Sequence, residues 1–271
     1  MEARIILKNL RINSKLYFKI TSQYIKARMQ YRIDFLISTI GIIFTNLIGV
    51  VFFWVLFLSV PSIGYWNMNH LLFLYGFSLL AVTPLQLFFD HIWILRYHLQ
   101  EGDFIKYYLK PINPMFYYMS EVFDLKGLGQ LGFGIGILVY SSIKIGFEWT
   151  FPNSVIFIIL LFSASLIMIS LMIIAASASF WIVNSYSILA FIFNFKEFSK
   201  YPLSIFNTIF KYFFTLVIPI GFVAFYPTTL LIFPDKIDFF VFLSPFFGIG
   251  LFYLAYSIWK RGMNHWSGTG T

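Results

Sequence analysis

Cysteine is absent from this chain of 271 residues, and charge is scarce: Asp, Glu, Lys and Arg together make up only 11%. The first absence excludes disulfide frameworks, zinc–thiolate sites and thiol nucleophiles, and leaves the redox compartment unreported. The second excludes an ordinary soluble domain, in which about 25% of residues are charged. Also missing is a Gly-x-x-x-x-Gly-Lys-[Ser/Thr] phosphate loop. No Gly-Lys pair occurs at all, so the chain has no usual means of cradling a nucleotide. His-Glu-x-x-His and Gly-x-Ser-x-Gly are absent too, and His70, His91, His98 and His265 are scattered over separate segments. The formal net charge of +8 would suit a nucleic-acid partner, but its distribution does not. Eight of the 19 basic residues fall in the first 32 positions, ahead of any apolar run, where they act on topology and on anionic lipid.

What is present is apolar surface: 59% hydrophobic and 22% aromatic residues, with 36 phenylalanines. The composition predicts an all-α integral membrane protein. No charged residue stands between Asp34 and Asp90, a run too long for one crossing, because about 20 residues span the hydrocarbon core. A hairpin follows, with Pro61, Gly64, Asn67 and Asn69 at its outer turn and spans near 35–59 and 70–93. Further spans are expected near 114–143, 154–183, 202–231 and 237–259, within a domain covering 33–262. A short tail at 263–271 completes the chain.

Ahead of this domain, residues 1–32 read as an amphipathic interfacial helix. Leu16, Ile20, Tyr24, Ala27 and Tyr31 recur on one face, and Lys15, Lys19 and Lys26 lie on another. The apolar run begins too late for a cleavable signal peptide. The N-terminal segment 1–32, the inner loops (96–114 and 184–201) and the C-terminal Lys260 and Arg261 hold fifteen basic residues, whereas the outer loops hold only Lys144 and Lys236. That bias predicts six helices with both termini cytoplasmic. Asp235, Lys236 and Asp238 are expected in the last outer turn, and Lys211 reads as a snorkelling lysine near the inner end of the fifth span. Pro219 and Pro227 within that span predict a broken or re-entrant outer end.

Two groups carry candidate chemistry. The third expected span has Glu121, Asp124 and Lys126 in its first half. Ionisable groups at depth are costly and face a bundle interior or water, so these three are candidate transport-path residues. Glu121 and Asp124 share a helical face and Lys126 points elsewhere, so no internal ion pair is implied. Residues 127–132 formally read Gly-x-Gly-x-x-Gly, but no strand precedes them. Helix packing through Gly132 and Gly136 explains the glycines better. The second group is GDFIKYYLKPINPMF, residues 102–116. Asp103, Lys106 and Lys110 fall at helical spacing with aromatics between, Pro111 stops the helix, and Pro114 can start another. This predicts a short amphipathic helix on the cytoplasmic face.

That stretch resembles the loop between the second and third spans of bacterial permease subunits of ABC-2 type exporters, in the branch of uncharacterised substrate. The likeness continues at residues 198–206 (FSKYPLSIF), 218–231 (IPIGFVAFYPTTLL) and 259–271. The resemblance implies an ATP-driven exporter whose ATPase, with its ATP and Mg, is a separate polypeptide present in two copies. It also implies a second permease chain, often a different one, and a bacterial plasma-membrane location. Residues 96–114 then form the coupling loop. Phe104, Tyr107 and Leu109 would be apolar knobs for a cleft in the ATPase, Asp103, Lys106 and Lys110 would set the docking register, and Pro111 would tie the loop to the spans. An amphiphilic cargo, such as a peptide, lipid-linked glycan or drug, suits this reading. The alternatives are a secondary transporter or channel using Glu121, Asp124 and Lys126, and a membrane enzyme, which would need an acid or histidine cluster at one face.

Overall fold

The computed structural model of the chain describes residues 2–236 and 239–266, with side chains from residue 15 onward, that of residue 31 excepted. Asp238, the side chain of Tyr31 and residues 267–271 of the expected tail therefore lie outside the described residues. Among those described, every regular element is helical apart from a single antiparallel bridge between Ile63 and Trp66. The helices are α1 (Glu2–Arg28), α2 (Arg32–Ser59), α3 (Met68–Phe88), α4 (Leu95–Gln100), α5 (Ile105–Tyr108) and α6 (Pro114–Ser120). They continue with α7 (Gly127–Ile145), α8 (Phe151–Ser177), α9 (Tyr186–Asn194), α10 (Thr208–Tyr212), α11 (Phe225–Ile232) and α12 (Phe239–His265).

Five stretches are long and apolar enough to cross a membrane: α2, α3, α7, α8 with the turn that extends it to Phe180, and α12. The buried helix is α3. Its apolar residues run all round, and 83% of its most hydrophobic window is enclosed, against 11% for α2. Asn67 caps it by accepting from His70 N while His70 Nδ1 accepts from Asn67 N, so the expected turn ends in a reciprocal cap at Asn67, and Asn69 lies in the first turn of α3. The bundle thus has a turn end, holding Trp66, Gly146 and Lys236, and a loop end, holding residues 89–126.

Glycine draws α3 and α7 together, though not through the expected pair. A Cβ on Gly134 would meet Leu80 at 3.1 Å and one on Gly76 would meet the Leu138 backbone at 3.0 Å, whereas Gly132 and Gly136 have open space around them. The small-residue spacing was legible, but its facing was not: Gly127 and Gly134, seven apart, point at α3. Parallel packing of α8 and α12 uses the same device, with Gly248 against Ser163 and Gly262 against Phe180.

The chain after α8 departs from the expected path. Arg96 and Gln100 at the loop end hold Asn184 and Val183. From there α9 and the 3-10 turn Phe195–Lys200 climb along α3: Ser199 Oγ lies 2.6 Å from Ser78 Oγ, at the midpoint of α3. Tyr201 then packs on Phe52 and Phe53, further along α2. Residues 186–206 therefore traverse the bundle, and 184–201 is not a second loop-end connection. The span expected at 202–231 is instead two helical stretches, Thr208–Val217 and Ile220–Ile232, bent by 77° about Pro219. Lys211 and Lys236 line one cavity with Tyr65 at the turn end, Phe214 reaches down to Phe195 and Phe198, and Phe233 returns to Trp66. Both limbs open at the turn end, so this is a re-entrant hairpin, and Lys211 sits at the opposite end from that expected. The two prolines had signalled the break.

Candidate functional site

At the loop end, Gly102 adopts φ 78°, a left-handed conformation that releases the chain from α4 into the loop. The helix that follows is a single turn, α5. Phe104 and Tyr107 are fully buried and do not project as knobs. Phe104 sits among Tyr118, Phe180, Trp259 and Trp266, so it fastens the loop to the ends of α8 and α12. Tyr108 Oη adds a 2.5 Å hydrogen bond to the Met263 carbonyl. The apolar knob that does face outward is Leu109, 77% exposed, with Ile105 and Tyr108 beside it. Asp103, Lys106, Lys110 and Pro111 are exposed around them. Asn113 then caps α6, with Pro114 in its first turn, and Asn113 Nδ2 donates to Tyr256 of α12.

The expected third span is interrupted. The helix breaks between Ser120 and Gly127, and Glu121, Asp124 and Lys126 lie in that break at the loop end, not at depth within a helix. Glu121 accepts from Tyr107 Oη at 2.5 Å and pairs with Lys106 at 3.3 Å. Burial, and then the bond to Glu121, raise the Tyr107 phenol above its ordinary value. Asp124 and Lys126 do pair, at 3.7 Å, because without a helix residues two apart can meet. They adjoin Arg28 and Asp34 in a small cavity that joins the end of α1 to α2.

Beneath the loop, the His91 and Tyr118 rings stack at 4.2 Å and exchange hydrogen bonds with each other's carbonyls. A carbonyl only accepts, so Nδ1 carries the imidazole proton. Burial lowers His91 to about 4. Asp90, next in chain, is pushed up to about 6 by burial and then by the Asp124 charge.

Sequence reasoning missed a second site. Lys196, Glu197 and Lys200, read as a connecting loop, are carried by the 3-10 turn Phe195–Lys200 into the middle of the bundle. With Thr45 and Asn46 of α2, Ser78 and Gln86 of α3 and Gln130 of α7, they line a cavity of about 140 Å³. Asn46 and Ser78 are the midpoint residues of their helices. Lys200 Nζ bonds Glu197 Oε2 at 2.5 Å, while Lys196 Nζ approaches Glu197 Oε1 only to 4.0 Å and rests 3.6 Å over the Phe193 ring. Ser199 donates to the Lys196 carbonyl and Ser78 to Ser199, so both hydroxyl protons are used. Gln130 donates to the Leu79 carbonyl. Glu197 remains 52% exposed on the open side. The signal was present, since FSKYPLSIF is too apolar for an ordinary loop. Three charges within five residues concealed it.

Among the described residues, no group of three His, Asp or Glu side chains is placed to hold a metal ion. A polar, ionisable cavity at mid-depth in a bundle of membrane-crossing helices, with a tethered helical loop at one end, defines a transport protein of the permease class. The family model for "ABC-2 family transporter protein" matches residues 40–270, and the chain belongs to that family. Membership implies a partner ATPase in general. No curated protein and no solved structure matches the chain.

Proposed function

We propose that the chain is the membrane subunit of an ATP-driven exporter in the bacterial plasma membrane, worked by two copies of a separate ATPase that carry the ATP and Mg. The observation that carries this reading is the split character of residues 102–116. Their buried aromatics bind the loop to α8 and α12, and their exposed side offers Leu109 and Ile105 among Asp103, Lys106 and Lys110. Such a loop transmits displacement: an ATPase gripping the outward face moves the ends of α6, α8 and α12 through one rigid aromatic joint. In this reading residues 96–114 are the coupling loop, Pro111 sets its exit, and the loop end and both termini face the cytoplasm.

A second permease chain, different from this one, completes the path. Support comes from Glu197: a half-exposed carboxylate at mid-depth does not face lipid, and a partner chain enclosing a shared, wetted passage gives it a setting. Lys196, Glu197 and Lys200 then replace Glu121, Asp124 and Lys126 as path residues. An ATP-independent transporter built on the same three residues is the second reading.

A mild-detergent pull-down of the tagged chain, with every co-purified polypeptide identified and ATP hydrolysis assayed, decides between them. Recovery of a soluble ATPase and a second permease supports the exporter. Recovery of the chain alone, without hydrolysis, favours the second reading.

A further inference from the structure

The mid-bundle cavity has more hydrogen-bond donors and positive charge than its own acceptors satisfy. When both lysines are protonated, Lys196 and Lys200 face one carboxylate, Glu197, which leaves a net positive charge at a depth where an uncompensated charge is costly. Lys200 has taken the short bond to Glu197, so the ammonium of Lys196 holds only its longer approach and an aromatic face. An independent feature points the same way. Asn46 is 6% exposed, lines the cavity, and its Nδ2 donor has no partner among the described residues, although its Oδ1 lies 3.4 Å from Tyr75 Oη. A buried donor left unmatched is destabilising unless something accepts from it. Among the described residues, the buried unmatched acceptor lining the cavity, Gln86 Oε1, is uncharged.

We propose that this cavity binds the anionic head group, phosphate or carboxylate, of an amphiphile, with Lys196, Lys200 and Asn46 as its donors. The inference rests on the permease reading for its direction of transport but not for the binding itself. A volume of about 140 Å³ is close to that of a cavity of ~150 Å³ that accommodates benzene, enough for a head group and not for a whole lipid. The exposed side at Glu197 leaves the hydrocarbon tail outside, along the surface of α2 or against a partner chain. Glu197 acts as an internal competitor that holds Lys200 until an anion arrives.

The test is equilibrium binding to the purified complex in phosphatidylcholine nanodiscs, using radiolabelled dodecyl phosphate and radiolabelled dodecanoate as probes. Saturable binding of at least one probe is expected, weakened about tenfold or more in Lys196→Gln/Lys200→Gln, because two charge-assisted hydrogen bonds are lost. Asn46→Leu, which keeps all three charges, is expected to weaken it about fivefold. Glu197→Gln is expected to tighten it, and dodecyltrimethylammonium and dodecanol are expected not to compete. The stronger probe identifies the head group as phosphate or carboxylate.

Absence of saturable binding, equal binding by the wild type and both weakened variants, or competition by the cation overturns the proposal. Competition by inorganic phosphate as effective as that by dodecyl phosphate overturns the amphiphile. ATP hydrolysis by the same complex is read in parallel, so that loss of the permease reading is distinguished from loss of this one.

Discussion

Tyr107 donates its phenolic proton to Glu121 Oε2 across 2.5 Å, linking the turn of helix in the loop to the break that precedes α7. Lys106, next to Tyr107, reaches the same oxygen at 3.3 Å. One carboxylate thus holds both chain neighbours. Tyr107→Phe keeps the ring in its aromatic setting and removes the bond, which is worth about 1.5–3 kcal/mol when the acceptor is charged. Thermal unfolding of the purified chain should show that loss. Glu121→Gln should show a similar loss, and the double variant should fall short of the sum, since both act on one bond.

Leu109→Asp separates docking from folding. Its side chain is 77% exposed, so the variant should retain wild-type thermal stability while losing the co-purified ATPase. Phe104→Ala acts the other way: it empties a buried aromatic site at a cost of about 3–5 kcal/mol and should lower stability before any effect on docking is read. Normal ATPase recovery with Leu109→Asp would remove Leu109 from the docking surface.

Acidification sets two groups against each other. His91, lowered to about 4, contributes stability that is present above its ordinary value of 6.5 and is lost as pH falls toward 4. Asp90, raised to about 6, contributes stability that is present below its ordinary 3.8 and lost as pH rises through 6. Between pH 4 and 6 the two slopes oppose. In Asp90→Asn the His91 slope is left unopposed and His98, also lowered by burial, adds to it, so stability should fall steadily from pH 6.5 to 4, by about 3 kcal/mol from His91. Unfolding midpoints for wild type and variant across that range measure it, and identical profiles would show that the two groups do not titrate in this way.

Gly76→Val and Gly132→Val make a matched pair. A Cβ on Gly76 meets the Leu138 backbone nitrogen at 3.0 Å and would push α7 off α3, whereas Gly132 has nothing within 4 Å. The first should cost about 1–3 kcal/mol through overpacking, and the second should lie close to wild type in thermal unfolding.

Much of this architecture could be read from the chain because its signals are local. The hairpin in the uncharged run after Asp34, its turn from Pro61 to the Asn67 cap and the Asn-Pro start of α6 each reflect nearby residues, and the turn and that start appear within two residues of where expected. The loop at 102–116 was legible as a polar handle, but which of its aromatics face outward was not. Burial of Phe104 depends on Phe180, Trp259 and Trp266, all far along the chain. The mid-bundle site was illegible for the same reason: Ser199 meets Ser78 from 121 residues away. A Lys-Glu-x-x-Lys cluster looks alike in a loop and in an interior until that contact is known. Glu121 and Asp124 erred in the opposite direction. Apolar residues on both sides suggested depth, while the helix that would have carried them there stops at Ser120.

Helix length gives the bundle a further property. With 21 and 19 residues, α3 and α7 rise about 31 and 28 Å, close to the thickness of a hydrocarbon core of about 30 Å. With 28 and 27 residues, α2 and α12 rise about 42 and 40 Å and are mostly exposed. Mismatch therefore falls on α2 and α12, and on α8, which has 27 residues, and is accommodated by leaning, while α3 and α7 stay matched. Since α2 supplies Thr45 and Asn46 to the cavity wall, bilayer thickness becomes a mechanical input to the width of that cavity.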